Sequence, residues 1–247
     1  MKTILITGGS RGIGAATARA CADRGMGVIL TYKSQSEAAQ AVITEIESSG
    51  GRAAALPLDV ADISSFTAFH GAVAQHLRDG WNGTKLHGLV NNAGFGAYNP
   101  IETVSPEEFD ALFSVHLRGP FFLTQALLPL IADGGAIVNL TSATTRVATA
   151  GVAPYASFKG GLEVLTRYMA KEFGARGIRA NAVSPGAIRT DLGGGLTADF
   201  EAMLAAQTAL GRVGEAEEVG QVIAGLLSDE FHWVNGESIG VSGGYCI

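Results

Sequence analysis

Short apolar runs alternate along this chain with longer stretches in which apolar residues recur every three to four positions. The runs are Lys2-Thr-Ile-Leu-Ile6, Gly27-Val-Ile-Leu-Thr31, Arg52–Leu58, Leu86–Val90, Gly135–Thr141, Arg179–Val183 and Ser238–Val241. Their length and apolar content predict strands. Helices are predicted around Ala15–Ala20 and from Ser36 to Ser48. Another follows an Asp62 cap and ends before Asp79-Gly80-Trp81-Asn82-Gly83. A long one runs from Pro106 to Ile131 with a bend at Gly119-Pro120, another from Ala153 to Gly174, and two further helical patterns precede the last strand. Strands and helices alternating from end to end predict an α/β fold, a doubly wound parallel sheet covered on both faces. No linker or repeat interrupts the pattern, so residues 1–247 read as one domain.

The segment Thr7-Gly8-Gly9-Ser10-Arg11-Gly12-Ile13-Gly14 joins the first strand to the first helix. The first N–H groups of a helix lack intrahelical partners and the helix dipole favours an anion there. Glycine allows a tight turn and close approach of a ligand. A strand, a glycine turn and a helix start thus make a site for a diphosphate. The spacing is G-x-x-x-G-x-G, which departs from the general dinucleotide pattern G-x-G-x-x-G. The other reading of these glycines is a tight turn without a ligand.

In such sheets ligands collect at the carboxyl ends of the strands. Strand two ends in Thr31-Tyr32-Lys33-Ser34, with no acid before Glu37 to hold a ribose 2′-hydroxyl. Lys33, Ser34 and Arg11 suit a 2′-phosphate instead, the other reading of the two cations being ordinary solvated surface charge. Asp59 closes strand three, either as an acceptor for an adenine amine or as a turn residue. Strand four runs into Asn91-Asn92-Ala93-Gly94, whose small residues let a flat ring lie against the backbone. Strand five ends at Thr141-Ser142. Tyr155 and Lys159 stand four apart on a predicted helix and share a face. A lysine cation beside a phenol lowers the phenol pKa, which fits Tyr155 for general acid–base work with Ser142 holding the same oxygen. Y-x-x-x-K alone reads rather as a packing pattern of an amphipathic helix.

Composition narrows the classes. Apolar residues make up 47% and charged residues 16%, which describes a folded globule. A net charge of −6 without a basic tract gives no sign of nucleic acid binding. No apolar stretch is long enough to span a bilayer, and the N-terminal run stops at Thr7-Gly8, unlike a signal peptide. Two cysteines, Cys21 and Cys246, make no disulfide framework, so a cytoplasmic location is expected. Five histidines without zinc-type pairing make a metal site unexpected.

Taken together, Thr7-Gly8…Gly12-Ile13-Gly14, Asp59-Val60, Asn91-Asn92-Ala93-Gly94, Ser142, Tyr155…Lys159 and Pro185-Gly186…Thr190 resemble the short-chain dehydrogenase/reductase family over the whole chain. The resemblance implies a seven-stranded doubly wound, Rossmann-like sheet and hydride transfer between a nicotinamide cofactor and a ketone or secondary alcohol. It implies Tyr155 as proton donor, Ser142 as the group orienting the carbonyl, and Lys159 as partner of the nicotinamide ribose. Gly8, Ser10, Arg11, Gly12, Ile13, Gly14, Lys33, Ser34, Asp59, Val60, Asn92, Ala93 and Gly94 would bind cofactor. Pro185, Gly186, Ile188 and Thr190 would hold its nicotinamide end. Arg11 in the turn, with no acid after strand two, is similar to the NADP-preferring branch, so the expected cofactor is NADP(H).

Two positions depart from the family. His116 stands in Val115-His116-Leu117-Arg118-Gly119 where relatives have an asparagine thought to anchor a relay water. An imidazole there gives the relay a pH dependence near 6.5. Ser242 stands where aspartate is frequent. The His116 change leaves open a second reading, a dinucleotide-binding regulatory or scaffolding protein with weakened turnover. A methyltransferase with a related sheet would not need Tyr155 and Lys159.

Phe95, Tyr98, Ala143, Thr144, Val147, Val152, Leu192, Leu196 and Met203 are candidates to line a neutral, partly hydrophobic substrate, while Arg146 and Arg189 could greet an anionic one. Gly193-Gly194-Gly195 predict a lid over residues 191–207. Leu112, Phe113, Leu117, Phe121, Phe122 and Leu127 exceed what one sheet face needs. Family members pair these helices across a two-fold axis, so a homotetramer is expected.

Overall fold

Continuous apolar strands need cover on both faces, and the fold supplies it. The computed structural model describes residues 1–81 and 85–247. Asn82 and Gly83 of the expected turn lie outside the described residues. The main strands are β1 (Thr3–Ile6), β2 (Gly27–Tyr32), β3 (Ala53–Pro57), β4 (Leu86–Asn91), β5 (Ile131–Leu140), β6 (Arg179–Pro185) and, last in the chain, β9 (Ser238–Val241). They form a seven-stranded parallel sheet in the order β3-β2-β1-β4-β5-β6-β9. The order reverses between β1 and β4, so ligands are directed to the crevice at their carboxyl ends.

Alternate residues of each strand enter different cores. Ile4, Ile6, Val28, Leu30, Val90 and Val138 pack beneath helices α1 (Gly12–Asp23), α2 (Ser36–Ser48) and, further along, α8 (Ala216–Leu226). Leu5, Ile29, Leu89, Ile137 and Ala180 pack on the other face, against α3 (Phe66–Gly80), α5 (Gly119–Leu127) and α6 (Ala153–Phe173). Gly220 of α8 lies so close to α1 that a Cβ there would come within 2.8 Å of the Ala16 backbone. This contact lets α8 lie directly against the backbone of α1.

The structure corrects the predicted helix Pro106–Ile131. Helix α4 (Pro106–Phe113), opened by a Ser105–Glu108 capping box, gives way to a π turn over Ser114–Arg118 before α5. Pro120 has no N–H for the carbonyl four residues back, and the chain widens one turn ahead of it. Pro129 then limits the end of α5 to a 3₁₀ turn, Leu128–Leu130, and Ile131 already belongs to β5, paired with Leu86. Asp62 caps a 3₁₀ turn, Ile63–Ser65, ahead of α3 rather than α3 itself, accepting the Ser64 N–H at 3.1 Å. A two-residue parallel pair, β7 (Ile188–Arg189) with β8 (Gly214–Glu215), had no signal in the hydrophobic pattern. Between them lies α7 (Ala198–Ala206). Among the described residues no helix is long and apolar enough to cross a membrane.

Candidate active site

A cavity of about 420 Å³ opens at the carboxyl ends of β1, β2, β3 and β4. Its floor is the glycine turn. The Thr7 hydroxyl donates to Val90 O at 3.2 Å and accepts the Asn92 and Ala93 N–H groups, each at 3.0 Å. The Asn92 amide returns two bonds, to Thr7 O at 2.8 Å and Gly8 O at 3.0 Å. Gly8 is thereby pressed onto Ala93, where a Cβ would meet the Ala93 Cα at 2.8 Å, and its φ is +65°. No side chain caps the start of α1 and no acid lies in its first turn. The free N–H groups and the glycine cradle fit a diphosphate.

The outer end of the cavity carries Arg11, Lys33, Ser34 and Asp59. Lys33 and Asp59 do not face the cavity as independent groups. They pair, Nζ to Oδ2 at 2.7 Å, while Asp59 Oδ1 accepts the Ala61 N–H at 3.0 Å. Burial pushes the Asp59 pKa up, but the hydrogen bonds from Lys33 and Ala61 and the Lys33 charge outweigh it and leave the carboxyl below its ordinary value.

The inner end gathers Tyr155, Lys159 and His116. Lys159 is fully buried on α6 and donates to Leu140 O at 2.6 Å, with Nζ 5.6 Å from the centre of the Tyr155 ring. Burial lowers its ammonium pKa to about 7. The Ser142 hydroxyl stands beside the Tyr155 phenol and accepts from Thr144 N at 3.2 Å and Thr144 Oγ1 at 2.9 Å. Burial holds the Tyr155 phenol above its ordinary value, with the Ser142 bond opposing. The lowering expected from Lys159 is thus not what these residues produce by themselves. Desolvation acts on the phenolate more strongly than a lysine whose own charge is disfavoured.

A sequence model described as enoyl-(acyl carrier protein) reductase matches residues 8–246. An uncharacterized oxidoreductase of Methylorubrum extorquens is 37% identical over 98% of this chain and 97% of its own length. A solved short-chain dehydrogenase/reductase from Serratia marcescens is 32% identical, covers 100% of this chain and 98% of its own, and superposes with a TM-score of 0.92. The angucycline C-6 ketoreductase LanV, solved with bound NADP, is 33% identical over 99% of this chain and 95% of its own, with a TM-score of 0.95. The chain belongs to the short-chain dehydrogenase/reductase family.

As a short-chain dehydrogenase/reductase the chain brings most of its sequence-predicted residues to one cavity. Gly8, Ser10, Arg11, Gly12, Ile13, Gly14, Lys33, Ser34, Asp59, Val60, Asn92, Ala93, Gly94, His116, Tyr155, Lys159 and Thr190 line it. Ser142, Pro185, Gly186 and Ile188 do not. Ser142 reaches it through Tyr155, Pro185 ends β6, Gly186 packs on Ser242, and Ile188 pairs with Gly214 and packs on the core. Of the expected substrate residues, Phe95 and Leu192 line the cavity, whereas the Tyr98 ring lies on Gly151. Arg189 is committed to Glu201 and Glu215 and is not free for an anionic substrate. Leu140 contributes a carbonyl, which any residue has, so no side-chain pattern in the sequence marks it.

His116 sits deep in the cavity wall. Its ring is 1% exposed, its edge packs on Tyr155 with centroids 4.9 Å apart, and Nε2 lies 2.9 Å from Phe95 O. The imidazole is therefore neutral with its proton on Nε2, and among the described residues Nδ1 has no partner. Burial, together with the Lys159 charge, lowers its pKa to about 3. Both effects oppose a charged imidazole near pH 6.5. Between about pH 6.5 and 3 the unfolded chain binds a proton here that the folded chain does not, so stability falls as the pH falls. The imidazole NMR signals of His116 should stay fixed from pH 8 to 5, and His116→Asn should flatten the acid slope of the unfolding free energy. A His116 midpoint near 6.5 would restore the pH-dependent relay.

Proposed function

We propose that this protein is an NADPH-dependent oxidoreductase acting on a ketone or secondary alcohol, with Tyr155 as general acid and base. The carrying observation is the buried Lys159 beside Tyr155, its Nζ 5.6 Å from the centre of the Tyr155 ring, at the inner end of a cavity whose floor fits a diphosphate. LanV, a ketoreductase with bound NADP, supports the cofactor and the substrate class. Arg11 and Lys33 near the ribose end, with no acid directly after β2, support the phosphorylated form.

The dinucleotide, when bound, supplies or takes up the hydride. The glycine turn and the N-terminus of α1 hold its diphosphate, and the small residues Ala93 and Gly94 leave room for its flat end. Ser142 holds the substrate oxygen, and Tyr155 donates its proton to that oxygen as the alcohol forms. A phenol kept above its ordinary pKa stays protonated until that oxygen becomes a strong base. Lys159, with an ammonium near 7, can pass a proton at neutral pH. Phe95 and Leu192 give the cavity mouth an apolar lining that suits a neutral, partly hydrophobic substrate.

Tyr155→Phe should cut turnover by about 10²–10⁴ while leaving NADPH affinity within a few fold. Cofactor oxidation against a panel of ketones reads the first and fluorescence titration the second. Tight NADPH binding without turnover of any ketone or alcohol by the wild-type chain would instead favour the regulatory reading.

We read residues 191–207 as a lid on a single domain. Gly193, Gly194 and Gly195 all have positive φ, and a Cβ on Gly96 would come within 3.3 Å of Leu192, so the segment rests on the loop after β4. Arg189 secures its base through Glu201 and Glu215. Backbone amides here should exchange fast in the free protein and slow on binding NADPH with a substrate analogue. Strong protection without ligand removes the lid.

A homotetramer is supported by the exposed Phe109, Phe121, Phe122, Val164 and Tyr168 on α4, α5 and α6. Leu112 and Leu127, also expected on that face, belong to the chain's own interior. Light scattering should give close to four times the 25.4 kDa chain mass, and a monomer at micromolar concentration overturns it. A reducing, cytoplasmic setting is in keeping with two free cysteines, one buried and one exposed.

A further inference from the structure

Three charged groups stand at the outer end of the cavity, and two of them are spent on each other. Lys33 follows β2 and Asp59 follows β3, and the pairing of these strands brings the side chains together at 2.7 Å. Asp59 is held in place because its other oxygen accepts the Ala61 N–H. Lys33 is the looser partner, its side chain 71% exposed against 34% for Asp59. Arg11 is exposed at the start of α1 and enters no ion pair among the described residues.

We propose that Asp59 sets how strongly this protein prefers a 2′-phosphate, by holding Lys33 and by opposing the phosphate with its own charge, so that Arg11 is the principal phosphate reader. The proposal rests on the NADPH reading above. A phosphate monoester brings close to two negative charges at neutral pH. A paired lysine and carboxylate present almost no net charge to it. Drawing Lys33 toward the phosphate uncovers a fixed carboxylate a few ångströms away. Lysine is a single point charge on a flexible stem, without the fork that lets arginine serve two oxygens in fixed geometry. A ribose 2′-hydroxyl meets no such repulsion, so Asp59 narrows the gap between the phosphorylated and unphosphorylated cofactors.

The adenosine half isolates this effect. Adenosine 2′,5′-bisphosphate and AMP share purine, ribose and 5′-phosphate and differ only at the 2′ position. Calorimetry at low salt would measure both on wild type, Asp59→Asn, Lys33→Ala, Asp59→Asn/Lys33→Ala and Arg11→Ala. Taking the ratio of the two affinities cancels any loss of purine binding common to both probes, and asparagine keeps an oxygen for the Ala61 N–H. Asp59→Asn should raise the bisphosphate-to-AMP ratio by about threefold or more, the scale of an exposed pair. Lys33→Ala uncovers the Asp59 charge and should lower the ratio by about threefold, less than Arg11→Ala does, and the double variant should return it to near the wild-type value. Arg11→Ala should lower the ratio by about tenfold. An unchanged or lower ratio in Asp59→Asn overturns the proposal. So does a loss in Lys33→Ala alone as large as that in Arg11→Ala. A wild-type ratio near one removes the NADPH preference itself, and the proposal then stands if Asp59→Asn raises the ratio and falls if it does not.

Discussion

Hydrogen bonds between the ends of β1 and β4 hold the site in register. Where the strand order reverses, both chains leave the sheet side by side and their backbone groups lose their ladder partners. The Thr7 hydroxyl and the Asn92 amide take up those groups, binding Val90, Asn92, Ala93, Thr7 and Gly8 into one knot. A buried polar group left without a partner there would cost about 1–3 kcal/mol. The knot also presses Gly8 against Ala93, which is why a side chain at position 8 has no room. The turn then delivers the first helical N–H groups to the crevice, with Gly220 of α8 fixing α1 from behind.

A second polar chain steadies the inner end. The Asn91 amide donates to Asn139 at 2.8 Å, and Asn139 donates to Thr166 at 2.8 Å, joining β4, β5 and α6. Those elements carry the Leu140 carbonyl and the Lys159 ammonium that meet at 2.6 Å. Burying a cation with one carbonyl partner disfavours its charged form and brings the Lys159 ammonium down to about 7. The same dry surroundings keep His116 neutral and the Tyr155 phenol protonated. The shifts at these groups share one cause, exclusion of water from the space between α6 and the π turn.

Much of the architecture was legible from periodicity alone. Buried parallel strands must be apolar on both faces, so Ile4–Ile6, Val28–Leu30 and Leu89–Val90 announce themselves, and Ser36–Ser48 is recovered with the observed bounds. The chemistry-bearing residues were legible because they stand at strand ends, which an alternating pattern locates. The sequence by itself determined the strand order's raw material, the glycine cradle and the Tyr155–Lys159 face.

Only the tertiary structure decided which groups meet and how dry they are. The widening at Ser114–Arg118 depends on the missing donor at Pro120 and on Gly119 seated against the Val60 carbonyl, a contact between segments far apart in the chain. Lys33 and Asp59 read as separate ligands of a ribose and a purine until the pairing of β2 with β3 makes them partners. His116 reads from the sequence as a titrating group, while its burial against Tyr155, Phe95 and Gly94 disfavours its charged form. Periodicity reports the face a residue shows to its own element. Pairing and desolvation depend on what other elements bring to that face, which is set only when the chain closes on itself.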